Sequence, residues 1–483
     1  MLQIGRNIFS LVFSRVIAGI ILFLIYAQLA QYLGPVKAGQ YGLLAGFITV
    51  FSIFVDLGMS QLVIKKISED RARASKILAN YFSIQFLLGV GFMLIMAGYI
   101  FTTDYPQIVK NALYITSVAL LLSSMSLPFR SVINAFQKLT IIAQVNFVNS
   151  VINGGMMILA IYFRTDIFFL AFISIAVSVF DLLIYGIVTH KKFTPFRIEF
   201  DKSFVKQLFI WTFPFTLLTF FSIYNRIDAL MLPQLRDFRE TGYYAAAYKF
   251  WDVLAFFPAV IAISLYPFFA EALSRNLRDQ AKKGLETYTR YMIAIALPLA
   301  AGAFLVSGEL INIFYGADFA PAAPAMWILI AAVAVLFIYT PVNSMIISQE
   351  TKAATKITGF TLLFNFTTNL IFIPIFGFVA AAVTTVASEL IQLFGYTWVI
   401  KRRVVQFQFF RHFIKPIAAV VVMAGAVVYL KPLLQLWLVI GLAGVIYAMA
   451  LYLLKFFNRE DWELFKAAVN VRKQVDTERD VIT

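Results

Sequence analysis

The chain contains no cysteine, which excludes disulfides, thiolate chemistry and cysteine-ligated metals. It has only two histidines, His190 and His412, each in a basic flank beside Lys191 or Arg411. Two such remote residues do not supply the ligand spacing of a zinc site, and no metal or cofactor is expected. Charge is also scarce: 13% of the 483 residues are charged and 61% are apolar. A soluble chain of this length needs far more polar surface, so the composition describes a polytopic membrane protein. No loop is long enough to form a soluble domain. A DxD-type acidic pair, a Ser-His-Asp set and a phosphate-cradling glycine loop are all missing, which argues against an enzyme. The net charge of +15 resides mostly in loops, so membrane topology explains it and no nucleic-acid partner is expected.

What is present is a succession of fourteen apolar segments near the ~20 residues that a spanning helix needs. They run approximately over 8–33, 40–64, 77–101, 109–134, 139–163, 167–190, 205–233, 240–271, 286–307, 323–348, 354–375, 378–400, 412–430 and 433–455. The first is too long for a cleaved signal peptide and reads as a retained helix. Basic clusters such as Lys65-Lys66, Lys191-Lys192, Lys282-Lys283 and Lys401-Arg402-Arg403 fall on one side if the segments alternate. The other side holds only Lys37, Lys110, Arg164, Arg236, Arg239 and Lys431. That asymmetry predicts a multi-pass protein of the cytoplasmic (inner) membrane with both termini in the cytoplasm. The tail, with Trp462, Phe465 and Val469 among its charges, is expected to begin as an interfacial helix.

The chain repeats itself at an offset of six segments. Pro128-Phe129-Arg130-Ser131 is echoed by Pro341-Val342-Asn343-Ser344, and Ser178 through Lys192 by Ser388 through Arg402. Gly39-Gln40-Tyr41 is echoed by Gly242-Tyr243-Tyr244. Six is an even number, so the two units have the same orientation, as in transporters built by parallel duplication. The expected organisation is an N-lobe over 1–190 (helices one to six), a cytoplasmic linker over 191–204 and a C-lobe over 205–403 (helices seven to twelve). Helices thirteen and fourteen occupy 404–455, and a cytoplasmic tail occupies 456–483.

Tyr32-Leu33-Gly34-Pro35, Gly39-Gln40-Tyr41-Gly42 and Asp56-Leu57-Gly58 carry a resemblance to the multidrug/oligosaccharidyl-lipid/polysaccharide exporter superfamily. Within it the chain resembles the polysaccharide branch, the Wzx-type O-antigen flippases. The resemblance implies an all-α fold of fourteen transmembrane helices, in two six-helix lobes set as a V plus two C-terminal helices. It also implies a cavity lined mainly by helices one, two, seven and eight, in which lipid-flippase relatives place basic residues.

Ionised groups inside lipid are costly and usually face a cavity or a partner. Arg15 on helix one, Arg226 on helix seven, Lys249 on helix eight and Arg290 on helix nine are the expected cationic lining for a diphosphate head group. Asp228 and Asp252 are candidate coupling sites for a proton or sodium ion. Lys249 and Asp252 are three apart and can pair, whereas Arg226 and Asp228 need separate partners. Snorkelling of Arg15 and Arg290 and simple charge balance are the plainer readings. Asp56 reads as a cap or a local salt bridge. Asn146, Asn149 and Asn153 form one helical stripe, and Asn365 and Asn369 a second. Interhelical bonding accounts for both stripes, with sugar contact as a minor alternative. Tyr243, Tyr244, Tyr248 and Trp251 are expected in an interfacial belt, with stacking against sugar rings as the alternative. Pro214 and Pro258 are expected to kink helices seven and eight.

The predicted function is a flippase that moves a polyprenyl-diphosphate-linked oligosaccharide through the bilayer by alternating access, driven by a proton or sodium gradient. A polysaccharide polymerase and export machinery are further expected partners. The rivals are a multidrug cation antiporter of the same superfamily, which favours a net acidic cavity, and a membrane polysaccharide polymerase or glycosyltransferase.

Overall fold

The computed structural model describes residues 2–221, 226–457 and 461, with side chains described from Gly19 onward except at 213–215 and 217–219. Among these residues there are fifteen α-helices and no strand. A chain in lipid has no water to satisfy its backbone, so hydrogen bonds close within each helix. Twelve of the described helices are long and apolar enough to cross a membrane. The outer surface of the bundle carries Leu94, Ile95, Phe101, Phe360 and Val421, all exposed, as a lipid-facing surface requires.

The first half of the chain holds α1 (Leu2–Asp56), α2 (Met59–Glu69), α3 (Ala74–Thr102), α4 (Gln107–Ala135), α5 (Leu139–Tyr162) and α6 (Ile167–Lys192). The second half holds α7 (Lys202–Phe221), α8 (Asp228–Leu235), α9 (Phe238–Ser274), α10 (Arg278–Tyr315), α11 (Ala323–Gln349), α12 (Thr351–Phe376) and α13 (Phe378–Arg403). Two further helices, α14 (Ile414–Leu430) and α15 (Leu436–Leu453), pack together and against α10. The neighbour relations recur between the halves. Helix α4 packs on α3 and α6 as α11 packs on α10 and α13, and α5 meets α6 as α12 meets α13. The repeated Pro128 and Pro341 lie inside the paired helices α4 and α11.

Of three interruptions, one falls where the sequence predicts it and two do not. The gap predicted between the first two segments falls at Gly34, where the two arms of α1 meet in a sharp reversal that brings the Tyr26 and Tyr41 rings within 6.1 Å of each other. Gly34 has φ 70° and ψ 169°, which glycine tolerates, and Pro35 then restarts the helix where its missing N–H costs nothing. The predicted second segment, 40–64, is instead broken at Leu57-Gly58, where Gly58 takes φ 75° ahead of α2. Asp56 serves that break. It accepts from Ser60 N at 3.2 Å, Ser60 Oγ at 2.6 Å and Tyr81 Oη at 2.7 Å, which is the local capping role expected for it. The predicted seventh segment is interrupted by a turn at 226–227 ahead of α8, which begins at Asp228; α7 is described as far as Phe221. Apart from Pro35, prolines do not mark these breaks. Position 214 lies within α7, and α9 continues through both Pro258 and Pro267.

The linker after α6 is strapped to α3. Ser75 Oγ donates to Pro195 O and Ser83 Oγ to Glu199 O, each at 2.9 Å, and Asp201 N donates to Asn80 Oδ1 at 2.7 Å. Lys76 Nζ lies 2.8 Å from Asp201 Oδ2. Lys76, together with hydrogen bonds from Ser203 and Phe204 N, holds the Asp201 carboxyl well below the usual carboxylate range. The tail residues Trp462, Phe465 and Val469 lie outside the described residues.

Candidate functional site

Where α1, α8 and α9 converge, three charged side chains form a single cluster. Asp252 is its hub. Arg226 Nη2 donates to Asp252 Oδ1 at 2.5 Å, and Lys249 Nζ lies 3.5 Å from Oδ2. The Lys249–Asp252 pair follows from their spacing of one helical turn. Arg226 comes from the chain just ahead of α8, 26 residues away in sequence. Each cation also lies over an aromatic face: the Arg226 guanidinium is 4.6 Å from the Tyr248 ring centre, and the Lys249 ammonium 4.7 Å from that of Tyr26. Such faces attract cations most strongly where water is scarce.

Asp228 has a separate set of partners, as the two-residue spacing from Arg226 requires. It is 1% exposed. Tyr244 Oη donates to its Oδ2, and Ala229 N donates to its Oδ1 at 2.8 Å.

Two adjoining cavities border this cluster. The larger, about 410 Å³, includes Phe23, Asn153, Met157 and Phe256 in its wall. The smaller, about 180 Å³, includes Thr49, Arg226, Asp228, Tyr244 and Tyr248. Tyr26, Tyr41, Ala45, Lys249 and Asp252 border both. The described charges facing this space balance: two cations and two carboxylates.

The end of the bundle with few charged loops is closed above these cavities by small residues. A Cβ on Gly39 would overlap the carbonyl oxygen of Phe238, and a Cβ on Gly242 would overlap that of Pro35. Each glycine thus meets the carbonyl four residues before the other, a reciprocity that a two-fold relation generates. Gly39 and Gly242 are also partners in the sequence repeat. Below them a Cβ on Gly42 would lie 3.0 Å from Ala245 Cβ, and one on Gly46 3.0 Å from Ala229 Cβ. Small residues let helix backbones approach this closely.

Of the residues expected at the site, Arg226, Lys249, Asp228, Asp252 and Tyr248 come together, and Asn153 joins the wall of the larger cavity. Arg15 lies in α1, but its side chain falls outside the described residues. Arg290 stands elsewhere, paired with Asp461 at 2.5 Å and over the rings of Tyr291 and Phe456. Asn149 donates to Asp181 Oδ1 of α6 at 2.6 Å. Asn365 donates to Ser388 Oγ of α13 at 3.0 Å, and Asn369 to Asn365 at 3.0 Å. The Asn149–Asp181 and Asn365–Ser388 contacts are the interhelical bonding expected of the stripes, while the Asn369–Asn365 bond stays within α12. The belt reading of the aromatics is overturned: Tyr244, Tyr248 and Trp251 are buried inside the protein, because α9 turns that face toward α1 and α8 rather than toward lipid.

Sequence reasoning missed Tyr26 and Tyr41, which border both cavities and carry no charge to flag them. It also passed over two carboxylates within helices. Asp181 accepts from Asn149, and the fully buried Glu389 accepts from Tyr339 Oη at 2.6 Å. The rule that singled out Asp228 applies equally to them.

The family model described as "Polysaccharide biosynthesis protein" matches residues 4–273, more than half of the chain. An uncharacterized membrane protein of Methanocaldococcus jannaschii is 24% identical over 291 residues, which is 58% of this chain. The match spans 57% of that relative's length. The structure resembles that of a lipid II flippase, MurJ, in an inward closed conformation, with TM-score 0.75 and 15% identity over 92% of this chain and 98% of the other. It also resembles an inward-facing multidrug resistance transporter of the MATE family, with TM-score 0.63 and 14% identity over 80% and 94% of the two chains. At such identities the likeness is one of fold. The chain belongs to the polysaccharide biosynthesis protein family and has the fold of the multidrug/oligosaccharidyl-lipid/polysaccharide exporter superfamily.

Proposed function

We propose that this protein is a flippase that carries a polyprenyl-diphosphate-linked sugar repeat unit across the cytoplasmic membrane by alternating access. The observation that carries the reading is the pair of cations, Arg226 and Lys249, held on one carboxylate at a cavity wall between the two halves. A diphosphate offers the same oxygen chemistry as Asp252 at higher charge, and arginine binds such oxygens through its planar fork. The incoming head group competes with Asp252 for the two cations. Loading Asp252 or Asp228 with a proton or a sodium ion lowers the acidic charge of the cavity and releases the cations to the substrate. That exchange links an ion gradient to transport. Arg15 adds a third cation on the α1 side in this scheme, and Asn153 and Tyr26 offer contacts for the first sugar. The polyprenyl tail stays in lipid.

The topology in this reading has fourteen crossings, with both arms of the bent α1 counted and α7 joined to α8 as one. Helices one to six and seven to twelve are the lobes of a V, hinged so that the Gly39–Gly242 seam opens when the basic end closes. Both termini lie in the cytoplasm.

Deletion in the native host tests the assignment. Lipid-linked oligosaccharide is expected to accumulate facing the cytoplasm and to clear when the wild-type gene is restored. An unchanged lipid pool rejects the reading. A second reading, export of organic cations, draws on the aromatic wall of Phe23, Tyr26, Tyr41 and Phe256 and on the balanced charge. It predicts drug sensitivity on deletion, with normal lipid intermediates.

A further inference from the structure

A third cavity, about 560 Å³, lies on the end of the bundle that carries the basic loops. It shares no lining residue with the central pair. Lys282, Glu286 and Arg290 project into its wall from α10 at spacings of four, so they form one helical face. Arg411, His412, Ile414 and Lys415 come from the 3-10 turn at Phe410–Phe413 and the start of α14, and Phe456 follows α15. Four cations therefore face one space with a single carboxylate, Glu286, among the lining residues.

Those charges are incompletely matched. Arg290 is paired with Asp461, and Lys415 Nζ donates to Lys455 O at 2.6 Å, with donors to spare. Among the described residues Arg411 donates to Gln408 Oε1, at 3.2 Å. Lys282, Arg411 and Lys415 have no carboxylate partner among the described residues. Arg290 Nε and His412 Nε2 are buried with no hydrogen-bond partner among the described residues. With three cations unmatched by carboxylates around it, the space favours an anionic occupant that accepts hydrogen bonds.

The surroundings say which anion. Ile414, in the cavity wall, and the neighbouring Phe410 are 70% and 67% exposed at the border between α14 and the basic loops. A soluble anion has no use for such a rim, whereas an amphiphile does. We propose that this cavity binds the phosphate of an anionic phospholipid, whose acyl chains run along the outer face of α14. The lipid bridges α10 to α14 from the basic end and does not pass through the central cavity. This site is independent of what the protein transports.

The test uses the full chain purified in detergent and titrated with phosphatidylglycerol or phosphatidylcholine, with bound lipid counted by native mass spectrometry. Wild-type protein is expected to retain phosphatidylglycerol in preference to phosphatidylcholine. The triple variant Lys282→Gln, Arg411→Gln, Lys415→Gln is expected to bind it about 100-fold more weakly, at roughly a factor of five per basic residue. Lys282→Gln alone, expected to lose about fivefold, carries the test if the triple variant does not fold. A Lys191→Gln, Lys192→Gln, Arg197→Gln variant removes equal charge outside the cavity and is expected to bind as wild type. Equal binding of both lipids, unchanged binding by the cavity variants, or full displacement of the lipid by millimolar inorganic phosphate overturns the proposal.

Discussion

The two halves of the chain touch at both ends of the bundle, but in different ways. At the lightly charged end, backbone meets backbone through Gly39 and Gly242, with Gly42 and Gly46 against Ala245 and Ala229 below. At the basic end the contacts are side chains: Thr216 Oγ1 to Leu57 O at 2.6 Å, Lys66 over the Trp211 ring at 4.8 Å, and Phe54 against Phe220. A seam of glycines has no rotamers to adjust, so it is either closed or fully parted. Contacts made by side chains can loosen singly. In the proposed transport cycle the seam at the lightly charged end is the all-or-none gate and the basic end is the adjustable one.

The strongest challenge to that assignment is a side chain placed in the seam. Gly39→Leu or Gly242→Leu forces a Cβ into a carbonyl oxygen and has no flexible neighbour to move. We expect a cost at or above the ~3 kcal/mol upper range of overpacking. Export should be lost, and a cysteine introduced at Ala45, in the otherwise cysteine-free chain, should react severalfold faster with an impermeant maleimide. Next in effect is a Gly42→Cys, Ala245→Cys pair. Its short Cβ separation suits a disulfide after a small adjustment. Oxidation should stop export and reduction should restore it. At the basic end, Trp211→Ala and Thr216→Ala should each cost only about 1 kcal/mol and change the transport rate by no more than about twofold. An effect there as large as in the seam would reverse the comparison.

The smallest effect expected is the acid response of the linker strap. The folded-state pKa of Asp201 is lowered, chiefly by Lys76. Its contribution is therefore complete above the ordinary carboxylate value of about 4, and is lost as pH falls through the lower folded value. Limited proteolysis of the 193–201 segment between pH 7 and pH 3 should accelerate at the acid end. Asp201→Asn should remove that pH dependence.

Local periodicity explains which of these features could be read in advance. Lys249 and Asp252 were legible as a pair because three residues make one helical turn. Arg226 was legible as a membrane-embedded charge, but its partner was not, because 26 residues of intervening chain hold no spacing rule. The reversal at Gly34 was legible because Gly-Pro signals a break, although that signal does not give the angle between the helices on either side. Gly39 and Gly242 were found as repeat partners, yet nothing in a repeat states that its copies touch. The aromatics of α9 were misplaced because depth in a membrane can be counted from sequence, while the direction a face points depends on neighbours.

The central claim is that Arg226 and Lys249 hold the diphosphate. Its most direct test is flipping of a fluorescent polyprenyl-diphosphate sugar in proteoliposomes by the wild type, Arg226→Ala, Lys249→Ala and the conservative Arg226→Lys. Loss of the cation frees Asp252 as well as the substrate site, so both alanine variants should fall by about 100-fold or more, with Arg226→Lys between them and wild type. Flipping by both alanine variants at the wild-type rate, with equal protein in the vesicles, would contradict the account.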